Sequence, residues 1–170
     1  MAESAVIQSE TKECASGGMY LTFGLGKEEF GLQILKVREI IGYTPITAVP
    51  QTPGYVKGVI NLRGQVIPVI DLRLKFHMIE KEITDQTCII IIETTTREGA
   101  ALTGLIVDQV SEVLDIETDQ IEAPPSLGAT MDMSFILGLA KIADRVKILL
   151  HIDAIVDDQA IENLSQLTQQ

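Results

Sequence analysis

The amino-acid sequence predicts a mainly β protein made of two similar small barrels of short antiparallel strands. Three observations carry that prediction. Short β-branched and aromatic runs alternate with Gly and Pro turns along most of the 170 residues. A pattern of glycine and apolar residues occurs twice in the same order, so the chain holds an internal repeat. Hairpins standing alone would leave open sheet edges, and closure into barrels removes them.

The repeat has two blocks. Gly31-x-x-Ile34-x-x-Val37-x-Glu39-Ile40 is echoed by Gly104-x-x-Val107-x-x-Val110-x-Glu112-Val113, and each is followed by a proline, Pro50 or Pro124. Gly58 with Val66, Val69, Ile70 and Leu72 is echoed at identical spacing by Gly138 with Val146, Leu149, Leu150 and Ile152. Arg63-Gly64 falls opposite Ala143-Asp144. Copies that share apolar spacing and differ at a hairpin tip imply one scaffold with the binding chemistry specialised in one half.

In chain order, residues 1–18 are polar, lack periodicity and end in Gly17-Gly18, which reads as a flexible tail. Met19 to Phe23 reads as a strand, Gly24 to Glu29 as a turn and Phe30 to Leu32 as the returning strand. Ile34, Val37, Ile40 and Ile41 suit a helical turn followed by a strand. Pro45, Pro50 and Pro53 mark a connector. Gly58-Val59-Ile60 then enters a central hairpin with Arg63-Gly64-Gln65 at its tip and Val66 to Ile70 leading out. Pro68 lacks an N–H, which predicts an edge position or a bulge there. Asp71 is placed to cap a short helix. Cys88 to Ile92 and Ala101 to Val107 form strands about a turn at Thr94 to Gly99. Ile155, Val156, Ile161, Leu164 and Leu167 follow helical spacing, so a C-terminal amphipathic helix is expected to dock on the barrels. The domain therefore spans 19–156, and 157–170 form the end of that helix or a tail.

The charge balance of 24 acidic against 13 basic residues, net −11, opposes binding to nucleic acid or anionic lipid through a broad electrostatic surface. Cys14 and Cys88 are the only cysteines, too few for a disulfide framework. The N-terminus has no signal-peptide pattern and no stretch is apolar for long enough to cross a membrane. A cytoplasmic location is expected.

Catalysis needs a convergent nucleophile, base or metal set, and none is legible. His77 and His151 stand apart from each other and from either cysteine, and zinc spacing is absent. Cys88 in its isoleucine run reads as a buried inert thiol. Gly24-x-Gly26 reads as a hairpin turn, since it lacks the rest of a phosphate-loop motif. Asp108, Glu112, Asp115, Glu117 and Asp119 lack calcium-loop spacing and read as a solvated face. The remaining signal is surface chemistry. Arg63 is either a solvated turn residue or an arginine presented to a partner, and beside it Leu62 is expected to be exposed. Val37 is either a core residue or a contact, and Glu39 has a repeat counterpart in Glu112.

Phe30-Gly31 followed by Ile34-Leu35-Lys36-Val37-Arg38-Glu39-Ile40, then Pro50, Pro53, Gly58-Val59-Ile60-Asn61-Leu62-Arg63-Gly64 and Pro68-Val69-Ile70-Asp71-Leu72, closely resembles the CheW family of bacterial chemotaxis coupling proteins. The resemblance runs from about Tyr20 to about Val156. It implies two intertwined five-stranded SH3-like barrels and a non-enzymatic adaptor without metal or cofactor. It also implies two partners, the cytoplasmic tips of chemoreceptors and the regulatory domain of the histidine kinase CheA, in receptor arrays at the inner face of the membrane. Carried over by position, Val37, Asn61, Leu62, Arg63 and Gly64 would contact the receptor, and Glu39, Val56, Lys57 and Gly58 the kinase. A chain of 170 residues has no room for the kinase's own phosphoacceptor and ATP-binding segments, or for a receiver domain. A scaffold of another chemosensory pathway, or a small-molecule-binding barrel, is the alternative reading.

Overall fold

Each copy of the repeat places its first hairpin in the barrel of the other copy. The structure, a computed structural model, describes residues 16–96, 99–124 and 133–156. The first copy supplies β1 (Gly18–Leu25), β2 (Glu28–Gln33), β3 (Val37–Gly42), β4 (Val56–Leu62), β5 (Gln65–Asp71) and the short helix α1 (Leu72–Lys75). The second supplies β6 (Cys88–Thr96), β7 (Gly99–Val107), β8 (Gln109–Ile116), β9 (Ile121–Glu122), β10 (Ile136–Ile142), β11 (Arg145–Leu150) and α2 (Ile152–Val156). One sheet runs β3-β6-β7-β5-β4 and the other β8-β1-β2-β11-β10-β9. Hairpin β6–β7 thus completes the first barrel, and β1–β2 completes the second.

The exchange explains the glycine that opens each repeat block. Where the hairpins cross, pairing is parallel, with Val69 beside Gly104 in one sheet and Leu149 beside Gly31 in the other. A Cβ on Gly31 would lie 2.9 Å from Leu149 Cδ2, and one on Gly104 would lie 2.9 Å from Ile89 Cγ2. A side chain at either position would crowd the packing at the crossing, against Leu149 of the crossing strand at Gly31 and against Ile89 and, at 3.2 Å, Val69 at Gly104.

Strand alternation then sorts the apolar residues into three cores. Ile60, Ile67, Val69, Ile89, Ile91 and Ile106 fill the first barrel. Tyr20, Ile116, Leu137, Ala140 and Leu149 fill the second. Leu21, Phe23, Ile70, Ile90, Ile92, Leu105 and Leu150 are among those packed between the barrels. Ile89 to Ile92 are all fully buried because β6 has a core on each face, and this is why that strand reads as an unbroken apolar run. Burying each such side chain contributes about 2 kcal/mol. Four phenylalanines knit the seam between the barrels. Their centroids lie 5.9 Å apart from Phe23 to Phe30, 5.8 Å from Phe30 to Phe76 and 6.1 Å from Phe76 to Phe135.

Several local expectations are met. Ile34–Lys36 is a 3-10 turn that leads directly into β3. Asp71 Oδ1 accepts from the Arg73 N–H at 2.9 Å and caps α1. The first hairpin is longer than expected, since β1 and β2 extend until only Gly26 and Lys27 separate them. Pro68 sits in β5, which has neighbours on both sides, so it is not on an edge strand. Pairing of β5 with β7 begins only at Val69, and Val59, opposite Pro68 on β4, spends its N–H and C=O on Thr47. The missing N–H therefore falls where no partner strand needs it. The five-stranded expectation holds for one sheet. The other gains β9 as a sixth strand, at the place where the first barrel has only the single bridge Thr47–Val59. Helix α2 buries Ile155 and Val156, while Ile161, Leu164, Leu167 and Cys14 lie outside the described residues.

Candidate functional site: the β4–β5 hairpin tip

The tip is a two-residue turn between Leu62 and Gln65, and both central residues have positive φ, 53° at Arg63 and 85° at Gly64. Such mirror-image turns match the twist of the flanking strands, and they usually carry Asn or Gly rather than arginine. Asn61 Oδ1 secures this one by accepting the Gly64 N–H at 2.8 Å. Ala143, at the matching tip of the second barrel, has φ 56°. The backbone conformation therefore belongs to the repeat, and the first barrel adds a guanidinium to it.

That guanidinium meets Glu39. Arg63 Nη1 donates to Glu39 Oε1, and Nη2 donates to Oε2 at 3.0 Å. The hydrogen bond from Arg63 holds the Glu39 carboxyl below the usual carboxylate range against a smaller opposing push from burial, and Glu39 in turn raises Arg63. β3 and β4 are the two ends of their sheet, so the ion pair, with the Thr47–Val59 bridge, helps close the barrel. The Arg63 side chain remains 72% exposed, and Glu39 is largely covered. Because Ala143 takes the place of Arg63 in the second barrel, Glu112 has no such arginine opposite it.

The structure divides the other candidate residues into exposed and buried sets. Asn61, Arg63 and Gly64 lie exposed at the tip. Leu62 is half-buried against the first barrel's core, which corrects its expected exposure: the turn leaves the guanidinium in water and tucks the preceding leucine in. Val37 is likewise half-buried against the seam core. Val56 is fully inside that core, so its side chain has no surface to offer. Gly58, with φ 141°, sits so close to the connector that any Cβ would overlap the Thr47 carbonyl. Lys57 is half-buried and pairs with Glu80. The tip thus brings Arg63, expected at the receptor, into contact with Glu39, expected at the kinase.

Outside this face, Asp108 is not part of a solvated acidic surface. It accepts from Arg73 Nε at 2.7 Å, Arg73 Nη2 at 2.6 Å and the Gly26 N–H at 2.8 Å, with side-chain exposures of 14% for Arg73 and 10% for Asp108. Its role is to join α1 to the tip of the β1–β2 hairpin. Glu112, Asp115, Glu117 and Asp119 are exposed. Cys88 is half-buried, with its thiol toward the Gln86 carbonyl. His151 lies just before α2, where its carbonyl accepts from Ala154 and Ile155, and so is not within a strand. Among the described residues no group of three or more His, Cys, Asp or Glu could hold a metal ion, and no helix is long and apolar enough to cross a membrane.

The family model for the CheW-like domain matches residues 19–160. The chain belongs to the CheW family. It is 37% identical over 143 residues to the chemotaxis protein CheW of Klebsiella aerogenes, covering 84% of each chain. To the Bacillus subtilis chemotaxis protein CheW it is 34% identical over 154 residues, covering 90% of this chain and 96% of the relative. The crystal structure of the scaffolding protein TtCheW from Thermoanaerobacter tengcongensis superposes with a TM-score of 0.75 at 35% identity, over 85% of this chain and 95% of that one. Membership places the chain among chemotaxis scaffolds, and the shared structure is the pair of exchanged barrels described above.

Proposed function

We propose that this protein couples the cytoplasmic tips of chemoreceptors to the regulatory domain of the histidine kinase CheA, within arrays at the inner face of the membrane. The observation that carries the reading is the tip of β4–β5, where an exposed guanidinium is held in a fixed direction by Asn61, Gly64 and Glu39 on a rigid closed barrel. The guanidinium N–H groups that Glu39 leaves unused suit recognition of a partner's carbonyls or carboxylates. In this reading Arg63 with Asn61 and Gly64 meets the receptor, and Glu39 with Lys57 lies toward the kinase. Val37 and Leu62 support the tip from below, and Val56 and Gly58 act by shaping the backbone. That one ion pair joins the two proposed contact regions supports the reading of a coupling surface. Among the described residues the barrel interiors are packed with apolar side chains, Ile60, Ile67 and Val69 in the first and Tyr20, Ile116 and Leu149 in the second, which favours an adaptor over a small-molecule-binding barrel.

The test is Arg63→Glu, with binding of a receptor-tip fragment and of the CheA regulatory domain measured beside melting. Receptor affinity is expected to fall about thirtyfold, as for an arginine at an interface hot spot. Melting should fall only slightly, since the pair that is broken lies at an exposed tip, where such pairs contribute little to stability. Unchanged receptor affinity would reject the assignment.

A further inference from the structure

We infer that residues 77–86, the connector from α1 to β6, carry an apolar contact point that extends the kinase-facing surface and fits an apolar pocket rimmed by lysine or arginine. This rests on the reading proposed above, because the connector is assigned to that surface through Lys57, which pairs with Glu80. Ile79 is 86% exposed and Ile83, four residues on, is 49% exposed. A lone isoleucine on a surface is ordinary; here it stands on backbone that is held in place. The Met78 N–H donates to the Arg73 carbonyl at 2.7 Å, and the Ile79 carbonyl accepts from Arg73 Nη1 at 2.9 Å. Lys81 reaches Asp108 at 3.7 Å. At the far end the Thr84 N–H donates to Thr87 Oγ1 at 2.9 Å, and the Gln86 N–H donates to Thr84 Oγ1 at 3.1 Å.

A connector fixed in this way has already lost the freedom that binding would otherwise cost it. Packing does not require Ile79, because its neighbour Met78 is the side chain that turns toward the core. Charge selects the partner. Lys57 and Lys81 are engaged by Glu80 and Asp108, while Glu82 and Asp85 are exposed and without an ion pair among the described residues. Ile79 is therefore followed along the connector by two carboxylates with no ion pair among the described residues, which a basic rim on the partner would complement.

The experiment compares the full-length parent, Ile79→Ser and the double variant Glu82→Lys/Asp85→Lys. Calorimetric titration is run with the CheA regulatory domain and, separately, with a receptor-tip fragment. Ile79→Ser should weaken kinase-domain binding about tenfold or more and leave receptor binding and melting as in the parent. The charge reversal should weaken kinase binding at low salt, with a deficit that shrinks as salt rises; it also carries the test should Ile79→Ser fold poorly. Parental kinase affinity in both variants overturns the inference, and so does a loss confined to the receptor fragment. A parent protein that binds neither fragment rejects the proposed function itself, an outcome separable from a parent that binds and variants that bind equally well.

Discussion

Replacing Arg73 by methionine removes the guanidinium that joins the barrels and keeps most of the apolar stem. The change deletes the bonds to Asp108 at 2.7 and 2.6 Å and the bond to the Ile79 carbonyl at 2.9 Å. It leaves a nearly covered carboxylate with the Gly26 N–H at 2.8 Å and a distant Lys81 at 3.7 Å. Removing one partner of a buried pair costs about 3–5 kcal/mol. The surviving donors place this case at the lower end, about 3 kcal/mol, or roughly a 10 °C fall in melting temperature for a domain of this size. Adding Asp108→Asn removes the stranded charge, so the double variant should recover about 2 kcal/mol. Acid gives a second check. Burial pushes the Asp108 carboxyl up, but bonds from Arg73 and Gly26 and the charges of Arg73 and Lys81 outweigh it, so the group sits below the usual carboxylate range. A carboxyl lowered by folding contributes stability above its unfolded value, and that contribution disappears as pH falls through its folded value. The melting gap between parent and Arg73→Met should thus be full at neutral pH and narrow below about pH 4. A fall of less than about 3 °C, or a gap unchanged in acid, would refute the assignment of this pair as the lock of the seam.

Gly58→Ala should unfold the protein or lower its stability by at least about 4 kcal/mol, because φ 141° and the Thr47 carbonyl both exclude a Cβ; denaturant titration reads this directly. Asp71 is raised chiefly by burial, partly offset by the Arg73 and Leu74 N–H groups, so its charged form is disfavoured in the fold. Its stabilising contribution is present in acid and lost as pH rises through the folded value. Asp71→Asn, which keeps the cap acceptor, should therefore melt at or above the parent at pH 7 and lose that advantage below about pH 4, whereas Asp71→Ala should cost about 1 kcal/mol. Gly104→Ala should destabilise through the contact with Ile89 while leaving Arg63-dependent binding in the folded fraction unchanged, measurable by titration of the receptor fragment.

The scaffold was legible because its constraints are local and repeated. Glycines that admit a crossing strand and apolar residues at strand spacing recur in both copies, and a duplicated pattern is hard to produce by chance. The exchange of hairpins was not legible from the residues. Gly31 and Gly104 would keep the same spacing whether each hairpin stayed with its own copy or crossed to the other, and only long-range pairing such as Val69 with Gly104 decides it. Asp108 was misread for a related reason. In sequence it heads a run of acids that are in fact solvated, and the arginine that buries it lies on α1, outside that run.

Arg63 and Glu39 show why the candidate tip is only half visible in the sequence. The turn placing Arg63 at the surface is written in Asn61 to Gly64, but its partner is on the strand at the opposite end of the sheet, and the two meet only because the barrel closes. The second barrel then serves as an internal control. Ala143 repeats the left-handed backbone of Arg63, and Glu112 repeats the carboxylate of Glu39, so neither the turn nor the acid alone distinguishes the first barrel. What distinguishes it is one side chain that converts a shared turn into a charged, bidentate contact on an exposed tip. The second barrel closes through the β9–β10 ladder without such a pair, whereas the first has only the Thr47–Val59 bridge, so in the first barrel the pair adds to closure while its guanidinium stays exposed.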